Sequence, residues 1–155
     1  MKKVWCTVFL GIFLIFSYGS CARMDNSLMD GYYTAEAAVF DDYGWKEYVT
    51  VRISGGRIIH VEFNAFNSSG FLKSWDMNYM RLMNAESGTY PSAYSRIYGG
   101  KFLEKQGTEG LECISGATYS YNTFLRLAEA VLENARTGDT EPRRVNLPVE
   151  IRDIH

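Results

Sequence analysis

Ser115-Gly116-Ala117-Thr118, followed by Ser120, gathers three hydroxyls around a glycine and an alanine just ahead of a helical run. The first turn of a helix leaves backbone N–H groups unpaired and carries a partial positive charge, so a phosphate placed there meets both. Thr118 presents a hydroxyl at the mouth of such a site, where an anion can be held or a phosphoester made. Gly116 and Ala117 remove side-chain bulk, which lets a ligand or a modifying enzyme approach the backbone. Serine and threonine before a helix are also ordinary caps, and on these four residues alone both readings stand. Cys113, two residues before Ser115, is expected to be a small buried apolar residue.

Other chemistries find little support. The two histidines are His60, on a strand-like stretch, and His155, the last residue. They form no ligand cluster for a metal, and no Ser-His-Asp arrangement can be assembled. The chain has 16 basic and 18 acidic residues and no basic patch, which argues against nucleic acid as a partner.

The elements that must position the run follow from periodicity. Trp45–Ile53 alternates, with Val49, Val51 and Ile53 on one side. Arg57–Phe63 alternates too, placing Ile59, Val61 and Phe63 together. Gly55-Gly56 between them marks a two-residue hairpin loop, since both residues can take positive φ. Gly31–Phe40 is a further strand. Ser74–Ala85 reads as a helix capped by Ser74 or Asp76, with Tyr79, Met80 and Met83 as a core stripe. A second helix starts at Pro91, with Tyr94, Ile97, Tyr98 and Phe102 on one side. Gly99-Gly100 inside it signals a break or close backbone packing. Leu111–Ile114 is expected as a short strand that turns through Ser115-Gly116-Ala117 into a last helix. That helix starts within Thr118–Asn122, carries Phe124, Leu127, Ala128, Val131 and Ala135 on one face, and ends at Gly138. The fold class is α+β: an antiparallel sheet built on the central hairpin and covered by two or three helices.

The N-terminus sets the compartment. Lys2 and Lys3 precede the apolar stretch Val4–Phe16, and Ser17–Cys21 supplies small residues leading to a cysteine. This is a secretory signal (residues 1–20) whose end matches the lipoprotein pattern, with Cys21 expected as the lipidated residue and 21–29 as a tether; ordinary signal cleavage with Cys21 merely nearby is the alternative. Residues 30–137 form the domain, and 138–155 an extended tail. Loss of the signal removes two of the 16 basic residues and takes the net charge from −2 to −4. Acyl chains on Cys21 anchor the protein to a membrane, each buried CH₂ contributing roughly 0.8 kcal/mol.

Ser115-Gly116-Ala117-Thr118 with Ser120 and a following helix resembles the signature of the FMN-binding domain family, which includes flavin-carrying subunits of Rnf and Na⁺-pumping NADH:quinone oxidoreductases and small exported flavoproteins. The similarity spans about residues 30–136, including Asp30–Ala37 and Lys73–Met83. It implies FMN on Thr118 through a phosphoester made by a separate flavin transferase from FAD and Mg²⁺. The family often has an aspartate three residues before the motif serine; Glu112 holds that place here. The resemblance further implies an electron-transfer carrier rather than a stand-alone enzyme, with unidentified redox partners. Cofactor contacts are expected from Ser115, Gly116, Ala117, Thr118, Tyr119 and Ser120, with Trp75, Tyr79, Tyr119 and Tyr121 as ring-packing candidates. Two alternatives stay open. One is non-covalent binding of FMN or another phosphorylated ligand; the other is a structural surface lipoprotein in which the run only caps a helix.

Overall fold

The computed structural model describes residues 27–148, so the signal, Cys21 and the last seven residues lie outside it. Its centre is the expected hairpin. β2 (Lys46–Ser54) and β3 (Arg57–Phe66) pair antiparallel, joined by Gly55 and Gly56 at φ 59° and 70°. β1 (Gly31–Ala37) lies antiparallel on the other side of β2.

One part of the alternation reads differently. The register shifts between Arg52 and Ile53, so Arg52 faces His60 while Ile53 faces Ile58. Ile59 is the extra residue of this bulge and stands 45% exposed, and Ile58 takes the inward place at 2%. A one-residue insertion flips side chains between faces, which a strict period-two reading cannot register.

The helices are α1 (Met77–Ser87), α2 (Pro91–Lys105) and α3 (Thr118–Thr137), with a short 3₁₀ turn over Lys73–Trp75. Asp76 caps α1, its carboxylate accepting the Tyr79 N–H at 2.9 Å. None of α1's residues is buried, so Tyr79, Met80 and Met83 line its more protected side without entering the core. In α2, Tyr94, Tyr98 and Phe102 are buried as expected, but Ile97 is 44% exposed. α3 places Phe124, Leu127, Ala128, Val131 and Ala135 wholly inside, and Gly138 ends it in the left-handed conformation.

α2 runs unbroken through Gly99-Gly100 because Gly99 packs against β3. A Cβ built on Gly99 would lie 3.5 Å from Val61 Cγ1, an ordinary contact. Gly99→Ala should therefore fit, and the higher helix propensity of alanine should stabilise the domain by up to about 1 kcal/mol. Thermal unfolding followed by circular dichroism checks this; a marked drop in midpoint would show that the helix cannot accept the methyl.

The tail contributes a strand. β4 (Arg143–Val145) adds to β1 in parallel, giving the order β3-β2-β1-β4. The sheet is thus mixed rather than purely antiparallel. Buried Asn134 of α3 arranges this, donating to the Glu141 carbonyl at 2.9 Å and accepting from Arg143 at 3.3 Å. The fold is α+β, an open four-stranded sheet with three helices.

Candidate functional site

The S-G-A-T run is a turn wedged between α1 and α3. Gly116 has φ 80°, and a Cβ there would come within 2.3 Å of the Ser87 carbonyl oxygen. The room made by its missing side chain is thus taken by the end of α1, and not left for a ligand. Ala117 donates to the Ile114 carbonyl at 3.0 Å and is 3% exposed. It is also the N-cap residue of α3, so no side chain caps this helix. Neither Ser115 nor Thr118 plays the capping part their residue types suggest.

Thr118 is the first residue of α3 and is exposed, as is Ser115. The Thr118 hydroxyl lies 3.6 Å from the Cys113 thiol. Cys113 is itself exposed rather than buried. The reason is local: Leu111–Ile114 forms no strand, and the segment is held instead by two tyrosines. Tyr98 accepts the Ile114 N–H at 3.0 Å, and Tyr121 donates to the Leu111 carbonyl at 2.7 Å. Leu111 fills the core while Glu112 and Cys113 face water.

The remaining candidates are dispersed. Tyr119 is half-buried. Tyr121 is committed to the Leu111 carbonyl and to the Tyr98 ring at 5.7 Å. Trp75 stands 63% exposed beside Phe71, while Tyr79 lies 6.4 Å from Trp45. Ser120 does not present its hydroxyl beside Thr118. It is 5% exposed and donates inward to Glu47 Oε1 at 3.4 Å.

That inward bond leads to a buried polar cluster. Glu47 is 4% exposed, and its Oε2 has no hydrogen-bond partner. Burial pushes its carboxyl up to about 7; Lys73 and the hydroxyls of Thr123 and Ser120 pull it down, while Asp41 adds to the rise. Lys73 is 5% exposed, its ammonium 5.1 Å from the Tyr79 ring centre and 5.9 Å from that of Trp45. Burial also raises the nearby Tyr94 hydroxyl well above its ordinary range, which keeps it protonated. The signal for this cluster was present in the alternation itself. Trp45, Glu47, Val49, Val51 and Ile53 form one inward row, and a carboxylate in that row is an anomaly.

Among the described residues, no helix is long and apolar enough to cross a membrane. No protein-family model matches the chain. A solved structure, that of the CPE2226 protein from Clostridium perfringens, superposes with a TM-score of 0.75 at 38% identity, covering 78% of this chain and 99% of that one. The 15 kDa lipoprotein of Treponema pallidum (strain Nichols) is 36% identical over 123 residues, covering 79% of this chain and 86% of the other. The chain belongs to the family of that 15 kDa lipoprotein.

Proposed function

We propose that this protein is an exported, membrane-anchored lipoprotein that carries FMN through a phosphoester on Thr118 and serves as an electron carrier outside the cytoplasm. The observation that carries the reading is an exposed threonine hydroxyl at the first position of a 20-residue helix that no side chain caps, within the S-G-A-T run. A family member named as a lipoprotein supports the anchor at Cys21.

The residues present suit the group. The first-turn amides of α3 and the exposed Ser115 hydroxyl supply donors for a phosphate, and the helix end favours its negative charge. Ala117 and Gly116 hold the turn so that the Thr118 hydroxyl stays outside the core. In the attachment, Thr118 Oγ1 bonds to the FMN phosphorus of FAD and AMP departs. The hydroxyl proton leaves to a base of the flavin transferase. Once bound, FMN supplies the capacity to accept and pass on electrons. A covalent link suits an exported domain, because occupancy no longer depends on free flavin relative to Kd.

Intact mass and a visible spectrum test this. Protein made in cells with an active flavin transferase should be yellow and heavier by one FMN less water. Thr118→Ala should remain folded and lose both signs completely. Colour that washes away on denaturing filtration would replace the phosphoester with non-covalent binding. Colourless protein of plain peptide and lipid mass would overturn the flavin reading.

A further inference from the structure

We propose that Glu47 is a proton-binding site coupled to the first turn of α3, and that negative charge placed on the Thr118 hydroxyl drives its carboxylate to the protonated form. The proposal rests on the reading above only for the identity of the anion, a phosphodiester.

The geometry is that of a carboxylate enclosed against a helix end. Glu47 lies in the inward row of β2, 4% exposed. Its Oε2 has no partner, and its Oε1 accepts from Ser120 Oγ at 3.4 Å. Ser120 is the third residue of α3, so Glu47 faces the same turn that Thr118 begins. The positive end of the helix dipole favours the ionised carboxylate, while enclosure and the orphaned oxygen favour a proton.

The groups around it set the balance. Lys73 of the 3₁₀ turn favours the charged form, as do Ser120 and Thr123 of α3; Asp41, from the loop before β2, opposes it. Tyr94 of α2 stays neutral, because burial and then a charged Glu47 disfavour its phenolate. Tyr79 of α1 touches the cluster through the Lys73 ammonium. Burial first, against these pulls, leaves the carboxyl at about 7, where a modest perturbation changes its occupancy at neutral pH.

An anion on Thr118 acts twice in one direction. It repels the Glu47 charge, and it occupies the helix end that had favoured that charge. A proton then passes from solvent to the carboxylate. The Ser120 hydroxyl can turn from donor to acceptor, so the contact between the two side chains is kept. By linkage, a protonated Glu47 favours the anion to the same degree. A carboxyl raised from 4.5 to about 7 contributes stability that is fully present below pH 4.5 and is lost as pH rises through 7.

The test compares Thr118→Asp with Thr118→Asn in the full chain, following side-chain carboxyl carbons by NMR in glutamate-labelled protein. One glutamate should titrate near neutrality, and Glu47→Gln should remove its signal. Should that variant not fold, Ser120→Ala keeps the carboxylate and should displace the same signal. The midpoint should be about half a pH unit higher with aspartate than with asparagine at residue 118. Equal midpoints, or every glutamate titrating in the ordinary acidic range, would overturn the proposal. Protein carrying FMN should show the same upward displacement. Failure to attach flavin at all would overturn the proposed function and leave the aspartate–asparagine comparison intact.

Discussion

Gly116→Ala is expected to destabilise the domain by about 3 kcal/mol or more, lowering the thermal midpoint by roughly 10 °C. Two costs add. The backbone there has φ 80°, a conformation that an L side chain adopts with strain. The new methyl would also meet the Ser87 carbonyl oxygen at 2.3 Å and Ser87 Cβ at 2.8 Å. Those atoms cannot step aside freely. Ser87 closes α1, and its hydroxyl is bonded to the Met83 carbonyl at 2.8 Å. Calorimetry checks the prediction, and a midpoint within a degree of the parent protein would refute the wedged turn. The result also separates two parts of the motif. If Thr118 carries FMN as proposed, loss of flavin in this variant would follow from a damaged turn, whereas Thr118→Ala changes an exposed hydroxyl on an intact scaffold.

Phe124→Ala should cost about 4 kcal/mol and lower the midpoint by roughly 15 °C. Phe124 is 0% exposed, and it is where the sheet, α2 and α3 meet. Its ring lies 5.0 Å from that of Phe63, 5.6 Å from Tyr98 and 5.7 Å from Phe102. Removing it opens a cavity that rigid aromatic neighbours cannot fill, so the cost belongs near the upper end of large-to-small substitutions. Urea unfolding monitored by tryptophan fluorescence measures it; a loss under about 1 kcal/mol would mean that the rings repack.

What could be read from residue order is what depends on neighbours along the chain. The Gly55-Gly56 hairpin, the Asp76 cap, the start of α2 at Pro91 and the inward face of α3 are local in cause. What escaped depends on contacts across the fold. The bulge that turns Ile59 outward is a relation between two strands. β4 joins the sheet because Asn134 holds the tail, a bond between residues that no periodicity connects. Leu111–Ile114 is shaped by tyrosines from two helices, so its strand-like composition had no strand to join. At the site, the exposed Thr118 at a helix start was legible, because the motif and the following helix are contiguous. The inward turn of Ser120 was not, since its partner Glu47 lies 73 residues away.

The direction of α3 has a consequence for how the molecule stands in its compartment. Its 20 residues rise roughly 30 Å. The backbone N–H of Met29 binds the Ala135 carbonyl at 2.8 Å, which ties the entering chain to the far end of that helix. Asp30 fastens the same entry point to the hairpin loop, accepting the Gly56 N–H at 3.1 Å. The domain is therefore a mast stepped at one pole, with residue 118 at the masthead. A group carried on that threonine, as proposed, would lie at the end of α3 opposite the point where the chain enters the domain.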